Sequence, residues 1–129
     1  MLLPEHAADL QPATELAHLF DDPQARHGAV NPPVYHASTL AFPDYETWKG
    51  VITGQQQREF IYSRSHNPTT KLLEQKIAHL ERADDCIASS SGMSAVSMAL
   101  MGLLNAGDHV LCINTVYGPV RSTFQSMLS

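Results

Sequence analysis

Ser89-Ser90-Ser91-Gly92-Met93 sets three hydroxyl groups beside a glycine, directly ahead of a run of small and apolar residues. Glycine lets a backbone come close to a ligand. The free N–H groups of a first helical turn then point at an anion, with the helix dipole in support. That is a phosphate cradle without a Walker-type lysine. A tight turn with serine capping satisfies the same five residues, and both readings stay open on local sequence alone.

Two other stretches could do chemistry. Asn114-Thr115-Val116-Tyr117-Gly118-Pro119 follows an apolar run and carries an aromatic ring. Tyr117 could stack on a flat ligand or act as an acid or base; its plain reading is a packing residue. Tyr62-Ser63-Arg64 lies in a polar loop, and the guanidinium fork of Arg64 suits a phosphate. Its plain reading is a solvated surface arginine.

Other chemistries find little support. The seven histidines show no HxH or HExxH spacing, so no metal is assigned. Ser89 to Ser91 do not form a GxSxG elbow, and no GxGxxG is present. Cys86 and Cys112 form neither CxxC nor a Cys/His zinc spacing. Each sits in an apolar run and is expected to be a buried, reduced thiol.

The elements that must position these residues differ along the chain. Up to about residue 58, Pro4, Pro12, Pro23, Pro32, Pro33 and Pro43 interrupt the chain too often for long helices or central strands. Thr14 to Phe20 is expected to form one short helix, with Thr14 as cap and Leu16, Leu19 and Phe20 inward. Asn31 to Tyr35 should be extended, and Gly54 to Gln57 an exposed loop. The whole segment, residues 1–58, reads as an extended arm that packs on another body or subunit.

From residue 59 the pattern is regular. Asn67-Pro68 signals a helix start, with Leu73, Ile77 and Leu80 recurring on an inward face beside Leu72. Lys71, Glu74, Gln75 and Glu81 take the wet side. Cys86 to Ser89 is expected as a short buried strand. Gly92 to Leu104 reads as a helix apolar all round and packed between layers. Asn105 to Asp108 ends it with turn chemistry. His109 to Ile113 is a second expected strand, and Tyr117 to Leu128 a further helix. Helix, strand, helix, strand, helix implies an α/β fold, the start of a mostly parallel sheet flanked by helices. Two strands alone make a poor sheet, so residues 59–129 read as the first part of a larger domain.

The bulk numbers agree with a small globular domain or the front of something larger. The chain has 129 residues, 43% hydrophobic and 16% charged, which is ordinary globular composition. A formal net charge of −5, with lysines and arginines scattered, speaks against nucleic acid. No signal peptide opens the chain and no apolar run approaches the ~20 residues of a membrane span. The default expectation is a cytoplasmic protein without membrane partners.

Taken together, the chain resembles the pyridoxal-phosphate enzymes of cysteine and methionine metabolism, the cystathionine lyase and synthase family. The matching text runs Gly28-Ala29-Val30-Asn31-Pro32-Pro33-Val34-Tyr35, Ala37-Ser38-Thr39, Tyr62-Ser63-Arg64-Ser65-His66-Asn67-Pro68-Thr69 and Leu80-Glu81-Arg82-Ala83. It continues with Ser91-Gly92-Met93-Ser94-Ala95, Gly107-Asp108-His109-Val110 and Tyr117-Gly118. The YSRxxNPT and SSGM elements, in this order and spacing, are highly specific. His66 stands where the family usually carries glycine.

The resemblance implies an aspartate-aminotransferase-like large domain and pyridoxal 5′-phosphate as cofactor. It implies that the Gly92 and Met93 amides hold the cofactor phosphate, and that Tyr117 stacks on the pyridine ring and takes part in proton transfer. It implies that Tyr62 and Arg64 reach the phosphate of a cofactor in a neighbouring subunit, in a tetramer of active-site-sharing dimers. The substrate class is an amino-acid thioether such as cystathionine. Ala37 to Phe42 and Val116 to Pro119 resemble the bacterial β-lyase versions, implying β-elimination to homocysteine, pyruvate and ammonia. γ-Synthase, γ-lyase and sulfhydrylase relatives share the quoted motifs.

One departure stands out. The family holds its cofactor covalently on a lysine. The lysines here are Lys49, Lys71 and Lys76, and none occupies that place. Two rivals from other classes therefore remain: a non-catalytic chain that at most associates with a full-length partner, and a small nucleotide-binding α/β module.

Overall fold

The computed structural model describes residues 11–127. The chain divides into two compact units, one running to Ile87 and one beginning at Ala88. Among the described residues no helix is long and apolar enough to cross a membrane.

The first unit begins with helix α1, Pro12–His18. It starts two residues before the expected Thr14 because Pro12 takes the first helical position, where its missing N–H costs nothing. Gln11 is the cap residue and makes no side-chain cap bond. Of the three residues expected to face inward, Leu19 is buried (1% exposed), whereas Leu16 is 40% exposed. Phe20 sets its ring edge-on to that of His79, 5.9 Å away. A short 3-10 turn, Gln24–Arg26, follows, with Asp22 accepting from the Gln24 N–H at 3.0 Å. Helix α2 spans Tyr45–Ile52. Its cap, Asp44, accepts from the Thr47 N–H at 2.7 Å, and that bond holds the carboxyl below its usual range.

Helix α3, Pro68–Glu81, starts where the sequence places it, with Asn67 as cap and Pro68 at the first helical position. Its orientation is different from the expectation. Leu73, Ile77 and Leu80 are exposed, at 52%, 37% and 42%, while Ala78 is buried and Leu72 and Gln75 are half-buried. Two polar residues of α3 reach α1 instead. Lys76 Nζ donates to the Leu16 carbonyl, and His79 Nε2 lies 3.3 Å from Glu15 Oε2. Partial burial, reinforced by the nearby Arg26, lowers the Lys76 pKa. Lys71 pairs with Asp85 at 3.3 Å. Between this face and the arm lies a cavity of about 520 Å³, walled by Phe20, Pro32, Pro33, Tyr35, Phe60 and Leu72 among others.

The second unit contains helices α4, Gly92–Leu103, and α5, Gly118–Met127, which pack on each other. Val120 is its buried residue. Helix α4 is not sandwiched as its composition suggests: Met98, Met101 and Leu103 are 44%, 71% and 80% exposed. Its end is as expected. Asp108 Oδ2 accepts from the Asn105 N–H at 2.7 Å, and Gly107 takes the left-handed φ of 95° that closes the turn.

The two expected strands are not formed. Among the described residues, the β pairing consists of one isolated antiparallel bridge, Thr39 to Tyr62. Cys86 to Ser89 and His109 to Ile113 have no ladder, and Ile87, Leu111 and Ile113 stand 75%, 102% and 71% exposed. A parallel strand exists only through its neighbours, since its hydrogen bonds are all between strands. The cysteines follow suit: Cys86 is half-buried and Cys112 exposed, both free.

Candidate functional site

The Tyr62–Arg64 loop is held almost entirely by polar contacts. The stretch 33–40 of the arm lies along residues 61–69. The Leu40 N–H donates to the Ile61 carbonyl at 3.0 Å, and the Ser63 N–H to the Ser38 carbonyl at 2.9 Å. Ser63 Oγ donates to the Ala37 carbonyl. The Tyr35 N–H donates to Thr69 Oγ1 at 2.9 Å. The loop itself is a turn: the Ser65 and His66 N–H groups both donate to the Tyr62 carbonyl, at 3.0 and 3.1 Å. On this braced turn Tyr62 is 40% exposed, and the Arg64 guanidinium sits 5.1 Å over its ring. The arrangement presents one cation and one phenol outward. The guanidinium is unpaired by any carboxylate among the described residues and is free to take an external anion.

In the second unit, α4 opens with a reciprocal capping box. Ser91 Oγ accepts from the Ser94 N–H at 3.2 Å, and Ser94 Oγ accepts from the Ser91 N–H at 3.1 Å. Ser89 Oγ donates to the Ser91 carbonyl at 2.9 Å. The box uses two of the first-turn donors. The amides of Gly92 and Met93 are left without an acceptor among the described residues. No acidic side chain lies in this first turn, and a Cβ built on Gly92 meets nothing within 4 Å. Two unpaired amides, an open approach and the positive end of a 12-residue helix form a donor set that fits a phosphate dianion. Ser91, singled out with the glycine in the sequence, thus acts as a cap together with Ser94, and the Gly92 and Met93 amides stay unpaired among the described residues.

Tyr117 immediately precedes α5 in the same unit and is 68% exposed. Its carbonyl accepts from the Val120 and Arg121 N–H groups at 2.9 and 3.2 Å, so its backbone opens the helix. The Arg121 guanidinium donates to the Asn114 carbonyl and ties the loop to α5. The phenol is left free for a ligand. Reasoning from sequence missed Arg121, Asn67 and Ser94 as supports. The Ser-x-x-Ser spacing of 91 and 94 is the one signal that could have found its residue.

Two of the three lysines are committed elsewhere. Lys71 is paired with Asp85, whose carboxyl is held below its usual range by the Cys86 N–H and then by Lys71. Lys76 is bound to the Leu16 carbonyl, and Lys49 lies exposed in the last turn of α2.

Comparison with known proteins gives these groups a context. L-Methionine γ-lyase of Pseudomonas putida is 44% identical over 106 residues, covering 82% of this chain and 26% of that enzyme. A cystathionine β-lyase-like protein of Rhizobium johnstonii is 37% identical over 115 residues, 89% of this chain and 28% of its own. A crystal structure from Campylobacter jejuni, containing a pyridoxyl-lysine monophosphate, superposes with a TM-score of 0.76 at 28% identity. It covers 92% of this chain and 28% of that one. The chain therefore spans about a quarter of the length of the relatives it matches. The profile of the Cys/Met metabolism PLP-dependent enzymes matches residues 13–129, and this chain belongs to that family.

Proposed function

We propose that the chain supplies the phosphate-gripping part of a PLP-dependent carbon–sulfur lyase, whose reaction is β-elimination of cystathionine to homocysteine, pyruvate and ammonia. The observation that carries the reading is the start of α4. Two amides without acceptors, at the N-terminus of a helix with no acid in its first turn, occur within a chain of this family.

In this reading the Gly92 and Met93 amides hold the cofactor phosphate. Tyr117 lies against the flat ring, and its phenol moves a proton. Tyr62 and Arg64 reach the phosphate of a cofactor in a neighbouring subunit, and the arm of residues 1–58 makes the subunit contact. The bound cofactor supplies the electron sink for C–S cleavage. The assembly is a cytoplasmic homotetramer of active-site-sharing dimers.

A second reading is γ-elimination of methionine, favoured by the 44% identity to a methionine γ-lyase. The complete protein carrying this chain, loaded with pyridoxal phosphate, separates the two. Pyruvate and homocysteine from cystathionine are the expected products. Release of 2-oxobutyrate and methanethiol from methionine, with cystathionine untouched, would replace the first reading by the second. Loaded protein that makes no keto acid from either substrate would overturn both. That result would favour the non-catalytic chain that only associates with a full-length partner.

A further inference from the structure

We infer that Asn67 is a positioning residue for the Tyr62–Arg64 pair, acting through Ser63, in addition to capping α3. The inference rests on the proposed phosphate role of Arg64.

The side-chain amide of Asn67 is fully used. Its Oδ1 accepts from the Thr69 N–H at 2.8 Å, which is the helix cap. Its Nδ2 donates to the Tyr35 carbonyl at 3.0 Å and to Ser63 Oγ at 2.9 Å. A cap requires only the acceptor, and serine, threonine or aspartate provide one equally well. Asparagine adds two donors to that acceptor on the same short side chain. The two extra bonds have nothing to do with the helix. One grips the arm and the other grips the residue between Tyr62 and Arg64.

Ser63 is consequently fixed from three sides. Its N–H donates to the Ser38 carbonyl at 2.9 Å, its hydroxyl donates to Ala37, and that hydroxyl accepts from Asn67. Tyr62 and Arg64 flank this anchored residue, and both are exposed. Val34 and Tyr35, on the arm strip beside the turn, are 65% and 40% exposed, so apolar burial does little to hold it. The backbone that carries Arg64 is held by hydrogen bonds that converge on Ser63, and Asn67 supplies the one that comes from α3. A charge-assisted contact depends on aim, and a loop free to swing loses part of it to side-chain and backbone disorder.

The test uses Asn67→Ser, Ser63→Ala, Arg64→Ala and the Asn67→Ser/Arg64→Ala double variant of the complete protein. Asn67→Ser keeps a neutral cap and removes both Nδ2 donations. Ser63→Ala removes the tether without touching the cap, and carries the test if Asn67→Ser misfolds. The readouts are pyridoxal phosphate affinity of the apoprotein and amide hydrogen exchange.

Each single variant should weaken pyridoxal phosphate binding by about tenfold. The double variant should lose no more than Arg64→Ala alone, because both changes spoil one contact. Exchange at the Ser63 and Leu40 amides should speed up in Asn67→Ser while the interior of α3 stays protected. Wild-type affinity in Asn67→Ser and Ser63→Ala, with Arg64→Ala impaired, would overturn the inference and leave the phosphate role of Arg64 standing. Additive losses, or unchanged exchange at Ser63, would overturn it as well. Wild-type affinity in Arg64→Ala would overturn the phosphate role itself, and the inference with it.

Discussion

Tyr117 offers two separable functions on one side chain: an aromatic face and a phenolic proton. The structure leaves both free, since the residue is 68% exposed and only its backbone is engaged in opening α5. Stacking belongs to the ring and survives loss of the hydroxyl. Proton transfer belongs to the oxygen and typically contributes 10²–10⁴-fold to rate. Tyr117→Phe in the complete protein should therefore keep pyridoxal phosphate affinity within about twofold and lower kcat by about 10²-fold or more. Affinity lost with kcat unchanged would assign the hydroxyl to binding and remove the proton role. Single residues like this one are legible from sequence when a motif flags them. Their supports are not: Arg121 reaches back seven residues to the Asn114 carbonyl, a contact fixed only once the loop has its shape.

Elements were legible to the extent that their signals are local. Asn67-Pro68 and Ser91-Gly92 start helices because a side-chain acceptor and a fitting first residue sit next to each other, and no distant partner is needed. The strands expected at residues 86–89 and 109–113 are not formed, because a strand needs neighbours that local sequence does not name. The inward face of α3 was misjudged for a related reason. Its apolar residues Leu73, Ile77 and Leu80 follow helical periodicity, yet Lys76 and His79 are the residues that reach Leu16 and Glu15 of the arm. Helix α2 offers a test of a purely local signal. Asp44 caps it through the Thr47 N–H, which depresses the carboxyl pKa from its ordinary value of 3.8. A carboxyl depressed in the folded state stabilises above its unfolded pKa, and the contribution is lost as pH falls through the folded value. The unfolding midpoint in urea should therefore drop as pH falls from about 5 through the ordinary carboxyl value of 3.8 and below it. In Asp44→Asn, whose cap cannot titrate, that drop should be smaller. An equal drop in both proteins would show that the acid sensitivity lies elsewhere.

The whole molecule divides its chemistry unevenly. Its lysines are Lys49, Lys71 and Lys76, and its candidate cofactor groups are the amides of Gly92 and Met93 and the Tyr117 ring. Covalent capture of a pyridoxal aldehyde needs an unprotonated amine placed beside the cradle that holds the phosphate. Lys71 Nζ is engaged by Asp85 Oδ1 at 3.3 Å. Lys76 is the lysine with the lowered pKa, yet its Nζ is bound to the Leu16 carbonyl. Lys49 is an exposed helix residue with no fixed aim. The 129-residue chain should therefore bind pyridoxal phosphate reversibly and form no stoichiometric imine. After incubation, dialysis and borohydride reduction, mass spectrometry should find less than one pyridoxyl group per chain, without preference for a single lysine. One reduced adduct per chain, mapped to Lys49, Lys71 or Lys76, would refute the expectation. Reversible binding is still expected to be measurable. A phosphate at a helix N-terminus gains about 0.3–1 kcal/mol from the dipole, and the two amides add their own bonds.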